Sequence, residues 1–197
     1  MICNKSSGVV IANSQALVDL WGAKLKTSVS LVHTSSISEK DIIATNIQEK
    51  FFAPPYKLLF VGRVCYDKGI RELFGALKAL NKKNEGEFIL DIVGSIGDLG
   101  GNDIDQLIQQ YNISEYAKHH GTVTFGETLF KFYSNADAYI IPSYHEGMPK
   151  TIWEAISRGT PVISTPVGGV GDFFVDSQDI LFIKLRNSQS IVEAVQK

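Results

Sequence analysis

The sequence has little of what marks secreted, membrane-spanning or nucleic-acid-binding proteins. Only two of its 197 residues are cysteines (Cys3 and Cys65), which is too few for a disulfide framework and fits a reducing compartment. No apolar run reaches the roughly 18 residues that a transmembrane helix needs. The first residues lack the basic-then-apolar order of a signal peptide. Because the net charge is only −2, no basic surface for nucleic acid is expected.

Short apolar runs alternate with amphipathic segments along most of the chain. The runs at 57–62, 88–94, 138–142 and 180–183 predict strands, and the segments between them have the three- and four-residue spacing of helices. This alternation predicts an α/β fold, a Rossmann-like parallel sheet with flanking helices. The pattern also predicts a short strand at 123–125, a loop at 166–171 and a helix from 190 that the chain end cuts off.

The first 50 residues differ from the rest. Residues 8–32 predict a strand, a helix that Asn13 or Ser14 caps and that runs through Gly22, and a second strand. The segment 46–56 is polar and contains two consecutive prolines, as expected of a linker. We therefore divide the chain into residues 1–50 and a domain of residues 51–197.

The segment 142–155 carries the strongest local pattern. A strand ends at its start, Glu146 lies in the following loop, and Pro149 falls where the first turn of a helix is expected. Loops at the carboxyl ends of parallel strands bind ligands in α/β folds, and helix N-termini there offer free N–H groups to anions. Because proline has no N–H, Lys150 and Thr151 would be the anion donors.

Glu146 and Glu154 lie eight residues apart. In a continuous helix their axial separation would be about 12 Å, whereas glycosidase carboxylate pairs lie roughly 5 to 9.5 Å apart. Two carboxylates that hold separate hydroxyl pairs on one long ligand fit this spacing better, because a carboxylate accepts hydrogen bonds and a diol donates two. The alternative is that both glutamates are solvated surface charges.

A second strand-to-helix loop, at 62–69, contains Arg63 and Lys68. Two cations beside a helix N-terminus are suited to hold a diphosphate. The Gly-x4-Gly-Lys order of a P-loop is missing here. The alternative is that both are ordinary surface cations in a turn.

Other polar patterns have simpler structural explanations. Asp103 and Asp105 have the spacing of a metal site, but they open a predicted helix and fit helix capping. His119 and His120 are adjacent rather than at ligand spacing, and we interpret them as structural or exposed. His145 neighbours Glu146, but a ligand contact is the less favoured interpretation.

Taken together, these segments resemble the donor-binding half of the group 1 retaining glycosyltransferases, family 4, which have the GT-B fold. The resemblance covers about residues 57–197. It is carried by residues 60–63 with 68–69, 92–94, 121–123, 136–138, 142–149, 154–155, 159–163 and 168–169.

The resemblance implies that Arg63, Lys68 and Glu146 are the catalytic residues. Arg63 and Lys68 would hold the donor diphosphate and neutralise charge on the leaving group. Glu146 matches the first glutamate of the family's Glu-x7-Glu motif, which contacts the donor sugar. Glu154 matches the second, which holds the ribose hydroxyls.

Further donor-binding residues follow from the same resemblance. The backbone of 147–151 would meet the sugar and the distal phosphate, and the loops near 94 and 122–123 would flank the base. This second set comprises Gly62, Gly94, Thr122, Val123, Gly147, Met148, Pro149, Lys150 and Thr151. The resemblance implies no metal and no cofactor beyond the nucleotide sugar itself.

The first 50 residues resemble the end of the family's acceptor domain. Most of that domain is missing, including the region of its active-site histidine, and residues 33–35 stand where the family usually has Asn-Gly. We therefore expect a fragment, truncated within its C-terminal helix, of a longer hexosyltransferase of cell-surface polysaccharide biosynthesis. Its glycan or lipid-linked acceptor would bind through the missing domain. A cytoplasmic location is expected, either free or at the inner face of the membrane through peripheral association of the full-length enzyme.

Two alternatives remain open from the sequence. One is a non-catalytic module that binds a nucleotide sugar, or an inactive partner subunit. The other is an unrelated Rossmann enzyme that uses NAD, although the glycines at 94–101 do not have Gly-x-Gly-x-x-Gly spacing.

Overall fold

The computed structural model describes residues 2–3, 10–25, 28–32, 35–42, 53–82 and 85–197. Its strands are β1 (Ile2–Cys3), β2 (Val10–Ala12), β3 (Val29–Leu31), β4 (Tyr56–Val61), β5 (Phe88–Val93), β6 (Ala117–His119), β7 (Ala138–Ile141), β8 (Val162–Ser164) and β9 (Leu181–Phe182). Its α-helices are α1 (Gln15–Leu25), α2 (Ile70–Asn81), α3 (Ile104–Gln110), α4 (Glu127–Asn135), α5 (Lys150–Ser157), α6 (Gly169–Phe173) and α7 (Ser188–Val195). Much of the predicted linker, and residues 33–34, lie outside the described residues.

Strands β4 to β9 form one parallel sheet in the order β6-β5-β4-β7-β8-β9. Helices cover both faces of this sheet. The prediction of an α/β, Rossmann-like fold is therefore confirmed. None of the helices in the described ranges is both long and apolar enough to cross a bilayer.

Side chains of β4 alternate between two hydrophobic cores. Leu58 and Phe60 enter the core that α2, α3 and α7 cover, whereas Leu59 and Val61 enter the core beneath α4 and α5. Burial of each such side chain contributes about 1.5–3 kcal/mol to folding. Because both faces are buried, the central strands have no polar alternation, which explains why their apolar runs stand out in the sequence.

The chain reverses its direction of travel across the sheet beside β4. From β4 it passes to β5 and then β6, and afterwards it returns to place β7 on the other side of β4. The pairing of Leu58 with Ala138 and of Leu59 with Tyr139 fixes this neighbour. Such a switch point opens a crevice at the carboxyl ends of the two strands, where doubly wound folds bind ligands.

The N-terminal residues form a small three-stranded sheet, separate from the main one. β1 pairs with β2 antiparallel, and β2 pairs with β3 parallel across α1, as the predicted strand–helix–strand pattern requires. Ser14 is buried at the start of α1, and the helix continues past Gly22 to Leu25. The backbone N–H of Gln15 donates to the Asp172 carboxylate in α6 at 2.9 Å, which joins this unit to the main domain.

Two predicted elements were wrong. The strand expected at 123–125 does not form, and the strand that pairs with β5 is β6, at Ala117–His119. This edge strand is short and partly polar, so it lacks the apolar run that reveals a central strand. The loop expected at 166–171 contains the start of α6, a helix of five residues.

Gly69 holds the start of α2 against the end of β7. Its φ is +72°, in the left-handed region, and a Cβ there would overlap the carbonyl group of Pro142. Position 69 therefore requires glycine for two reasons: the backbone conformation is left-handed, and there is no space for a side chain.

We expect Gly69→Ala to destabilise the fold by about 2–4 kcal/mol, because the strained backbone and the overlap act together. Gly86 is a matched control, since its φ is +74° and no atom lies within 4 Å of an added Cβ. Gly86→Ala should cost only about 1 kcal/mol, the conformational part alone. Urea denaturation of both variants tests this, and equal losses would show that the contact with Pro142 contributes nothing.

Candidate functional site

Two loops meet at the switch point of the sheet. The loop after β4 contains a 3₁₀ turn, Tyr66–Lys68, and the loop after β7 runs from residue 142 to 149. The N–H of Tyr144 in the second loop donates to the carbonyl oxygen of Asp67 in the first, at 2.8 Å. This hydrogen bond and the contact of Gly69 with Pro142 align two segments that are about 80 residues apart in the sequence.

An ion pair joins the two loops. Lys68 Nζ donates to Glu146 Oε1 at 2.5 Å, and the side chains are 21% and 11% exposed. The sequence predicts that both groups act on a ligand, and the structure brings them into direct contact. Because each neutralises the other, two charges can be kept partly out of water between the two loops.

Arg63 occupies a more open position than Lys68. Its side chain is exposed, and its aliphatic part lies where a side chain at Gly97 would be. The loop after β5 runs beside it, since Val64 N–H donates to Ser95 O and Gly97 N–H donates to Val64 O, both at 2.8 Å. The two residues predicted to hold the diphosphate thus lie on one loop, Lys68 partly buried and Arg63 exposed.

Three glycines pack backbone to backbone at the carboxyl ends of β4, β5 and β6. Gly94 N–H donates to Gly121 O at 2.8 Å, and a Cβ on Gly94 would overlap the carbonyl oxygen of Gly62. The φ angles of all three lie between +69° and +153°. We call these residues the glycine floor. Its surface consists of peptide groups, which a ligand can approach closely.

Thr122 and Val123 follow β6 at the same edge of the sheet. Thr122 is exposed, whereas Val123 is half-buried against the core beneath α4 and α5. Neighbouring strands lie about 4.8 Å apart, so β6 and β7 are separated by about 14 Å. Only an elongated ligand could reach both Thr122 and the Glu146 loop.

Helix α5 begins one residue later than predicted. Pro149 is its N-cap, with extended φ and ψ of −71° and 121°, and Lys150 is the first helical residue. Lys150 and Thr151 therefore occupy the first turn, where backbone N–H groups have no acceptor within the helix. Met148 is 7% exposed and belongs to the core, so only its backbone is available to a ligand.

Glu154 is buried rather than solvated, since its residue exposure is 6%. Tyr133 donates to its Oε2 at 2.9 Å, and Ser36 donates to its Oε1 at 3.3 Å. Burial raises the pKa of Glu154 above its ordinary value, while the two hydrogen bonds and the charge of Lys150 act in the opposite direction. The alternative of two solvated glutamates is wrong for this residue.

Four residues around the site were not found from the sequence. The amide of Asn13 lies against Gly147, Ser36 and Tyr133 contact Glu154, and Tyr139 donates to Thr151 Oγ1 at 2.7 Å. For two of them the sequence does contain a signal. Tyr133 and Tyr139 lie in apolar segments, and a buried tyrosine needs a hydrogen-bond partner for its hydroxyl, which indicates a polar group nearby. Nothing in the sequence indicates the contacts of Asn13 and Ser36, because these depend on how the N-terminal residues pack against the main domain.

The structural explanations for Asp103, Asp105, His119 and His120 are confirmed. Asp103 caps α3 and accepts from Asp105 N–H at 3.1 Å. His119 Nε2 lies 2.8 Å from Gly94 O, and His120 Nε2 lies 2.6 Å from Asp91 Oδ1. Across the described ranges, no three His, Cys, Asp or Glu side chains are close enough to share a metal ion.

The fold and this arrangement of loops agree with the comparisons. Residues 42–197 match the family model of the glycosyl transferases group 1. Since this match extends over most of the sequence, the chain belongs to that family. The predicted resemblance is thereby confirmed at the level of the family.

Curated relatives are similar over the same part of the chain. An uncharacterized glycosyltransferase of Methanocaldococcus jannaschii, MJ1607, is 29% identical over 140 residues, which cover 71% of this chain and 35% of the relative. The putative teichuronic acid biosynthesis glycosyltransferase TuaC of Bacillus subtilis is 30% identical over 140 residues, covering 71% and 32%. The chain thus spans about a third of the length of these relatives.

Solved structures share the architecture over nearly the whole chain. Sucrose-phosphate synthase from Thermosynechococcus elongatus superposes with a TM-score of 0.70 at 25% identity, over 95% of this chain and 48% of that one. WaaG, a glycosyltransferase involved in lipopolysaccharide biosynthesis, gives a TM-score of 0.75 at 16% identity, over 94% and 52%. The chain therefore has the Rossmann-like architecture of one half of a GT-B glycosyltransferase.

The burial of Glu154 predicts an unusual pH dependence of stability. Because the folded state raises the pKa of this carboxyl, it holds the proton more tightly than the unfolded chain. The contribution of Glu154 to stability should fall as pH rises from its ordinary pKa of 4.5 through the raised value. The slope should not exceed about 1.4 kcal/mol per pH unit.

Urea denaturation of the wild type and Glu154→Gln over a pH series checks this. The free energy of unfolding of the wild type minus that of the variant should decrease across the acidic range. Glu193→Gln, at an exposed position on α7, controls for the loss of one carboxylate. A pH-independent difference for Glu154→Gln would contradict the expectation.

Proposed function

We propose that this chain supplies the donor-binding half of a retaining glycosyltransferase of family 4. In this proposal it holds a nucleoside diphosphate sugar, from which a hexose is transferred to a glycan or lipid-linked acceptor in cell-surface polysaccharide synthesis. The observation that carries the proposal is the Lys68–Glu146 pair at the switch point of the sheet. The pair places a cation for phosphate and an acceptor for sugar hydroxyls side by side, as a nucleotide sugar requires.

The diphosphate would lie between the two loops. Lys68 is partly buried there, Arg63 flanks it at the rim, and the first turn of α5 adds N–H groups from Lys150 and Thr151. Charge-assisted hydrogen bonds are the stronger kind, and a helix N-terminus favours an anion. A ligand diphosphate would also compete with Glu146 for Lys68, which frees the carboxylate for a sugar hydroxyl.

The two glutamates would hold two different sugars. Glu146 precedes α5, and Glu154 lies on its second turn, so they are not placed to share one reacting atom. Each carboxylate accepts from hydroxyl groups, the first from the transferred sugar and the second from the ribose. The base would extend along the glycine floor towards Thr122 and Val123, at the far side of the sheet.

The chemistry is the exchange of one bond at the anomeric carbon. The bond between that carbon and the diphosphate oxygen breaks, the acceptor oxygen bonds to the carbon with retention, and the departing diphosphate oxygen takes up the proton of the acceptor hydroxyl. Arg63 and Lys68 would stabilise the negative charge that develops on the departing diphosphate, so the proposal needs no metal. Holding the two reactants in place can supply roughly 7 to 11 kcal/mol, which requires an acceptor half as well.

We propose that residues 1–50 belong to that acceptor half and that residues 51–197 form the donor domain. The hydrogen bond of Gln15 to Asp172 and the contact of Asn13 with Gly147 support a defined junction between them. Work at the cytoplasmic face of a membrane, with peripheral attachment of the full-length enzyme, is part of the same proposal. The name of the relative TuaC, which refers to teichuronic acid biosynthesis, supports a polysaccharide product.

Changing both Arg63 and Lys68 to alanine tests the proposed function. We expect the affinity for UDP, GDP or ADP, whichever the wild type binds, to fall by about 2–3 kcal/mol, and the loss to shrink as salt rises. The affinity for the matching nucleoside should change little, because it carries no phosphate. Titration calorimetry measures both.

The matched control changes Lys78 and Lys82 to alanine together. This variant also loses two positive charges, but at the distal end of α2. This control should bind the diphosphate almost as the wild type does. Equal losses for nucleoside and diphosphate in the Arg63 and Lys68 variant would exclude the assigned role.

Glu154→Gln tests the ribose assignment. The variant keeps the shape of the side chain but replaces one acceptor oxygen by a donor, so one hydrogen bond to the diol is lost. We expect nucleoside diphosphates to bind roughly 1.5 to 3 kcal/mol more weakly and 2′-deoxy ligands to be affected much less. A similar loss for both sugars would place Glu154 away from the ribose.

A further inference from the structure

The carboxylate of Glu154 is held differently on its two sides. Oε2 accepts from the hydroxyl of Tyr133, which is fully buried, and Oε1 accepts from Ser36, which is half-buried. The first hydrogen bond is also the shorter, at 2.9 Å against 3.3 Å. Oε2 is therefore committed to the protein interior, and Oε1 is the oxygen nearer the surface.

Tyr133 is itself fixed by its surroundings. Its backbone carbonyl accepts from Thr160 Oγ1 at 2.6 Å, and its ring meets the ring of Tyr139 edge to face with centroids 5.5 Å apart. Both rings have no measurable exposure. A side chain held in this way loses little further conformational freedom when its hydroxyl donates, so it can orient a carboxylate at small entropic cost.

The carboxylate needs such a donor because it is buried. An ionised group without hydrogen bonds in an apolar environment is strongly unfavourable and takes up a proton instead. The polar and charged groups that face Glu154 are Tyr133 from α4, Tyr139 from β7, Ser36 from the N-terminal unit and Lys150 from α5. Of these, Tyr133 is the neighbour that both donates to the carboxylate and belongs to the core.

We propose that Tyr133 is a positioning residue that keeps Glu154 ionised and turned so that Oε1 meets a hydroxyl of the ligand. This inference rests on the proposed function and extends it. A ribose presents its 2′- and 3′-hydroxyls to the Oε1 side of the carboxylate, whereas a 2′-deoxyribose presents only the 3′-hydroxyl. The orientation that Tyr133 imposes thus sets the preference of the site for ribonucleotides.

Ser36 does not have the same role. Its hydroxyl approaches the oxygen that the ligand would use, and it belongs to a segment 118 residues away in the sequence. It occupies the place of a ligand hydroxyl, whereas Tyr133 holds the opposite oxygen and remains in place when a ligand binds.

The test compares the wild type with Tyr133→Phe, which retains the ring and its packing. UDP, GDP and ADP and their 2′-deoxy forms are titrated calorimetrically over a pH series, and the base that the wild type prefers is used thereafter. We expect the preference for the ribonucleotide to fall about tenfold, with affinity for the 2′-deoxy form nearly unchanged. We also expect the pH at which binding weakens on the acidic side to rise, because the carboxylate loses the donor that favours its ionised form.

Tyr116→Phe is the matched control, since its hydroxyl also donates to a glutamate, Glu85, at 3.2 Å and far from the site. It should leave both readouts unchanged. In the double variant with Glu154→Gln, the Tyr133 change should have no further effect on the ribose preference, because it acts through that carboxylate. If Tyr133→Phe does not fold, 3-fluorotyrosine at position 133, a stronger hydrogen-bond donor, should move the acidic limit to lower pH.

The outcomes separate the two proposals. If the wild type binds none of the nucleoside diphosphates, the proposed function fails, and this inference with it. If Glu154→Gln abolishes the ribose preference while Tyr133→Phe leaves the preference and the acidic limit as they are, only the role of Tyr133 is overturned. A uniform loss for ribose and 2′-deoxy ligands would show that Tyr133 is merely structural.

Discussion

The placement of β4 between β5 and β7 is the constraint on which the rest of the molecule depends. All strands of the main sheet are parallel, so every strand delivers its loop to the same edge. Because the chain leaves β4 in one direction and returns on the other side, the loops after β4 and β7 lie side by side and in contact at that edge. The Lys68–Glu146 pair, the hydrogen bond between Tyr144 and Asp67, and the start of α5 all follow from that adjacency.

Two buried tyrosines connect the hydrophobic core to the polar edge of the sheet. Tyr139 lies on β7 and donates to Thr151, whereas Tyr133 lies on α4 and donates to Glu154. Both acceptors belong to α5. This helix is therefore fixed to the core by two hydrogen bonds from tyrosine hydroxyls as well as by apolar packing. Positioning of this kind uses groups that are fully desolvated, where each hydrogen bond is stronger and its loss more costly than at the surface.

Elements that are determined by neighbouring residues could be predicted from the sequence, whereas those that depend on contacts between remote residues could not. Buried central strands and amphipathic helices are local patterns, so β4, β5, β7 and α2 could be located from periodicity alone. The short polar strand β6 could not, because its pairing with β5 is decided by neighbours and not by its own residues. Lys68 and Glu146 could be singled out by their loops and family pattern, but their contact is a property of strand order. The burial of Glu154 depends on Ser36 and Tyr133, which are remote in the sequence and carry no periodic signal.

The glycine floor has a consequence for how such a protein can diversify. Where three loops touch through their backbones, no side chain is present whose replacement could reshape the surface, and at Gly94 an added side chain would displace Gly62 itself. At Gly62 and Gly121 a Cβ would meet no overlap, but the positive φ strains any other residue there, so substitution is unfavourable at all three positions. Side chains that can be exchanged without this cost lie beside the floor, as at Arg63 and Thr122, which are both exposed. Sequence change at this edge of the sheet should therefore concentrate on the border of the glycine floor rather than on its backbone base.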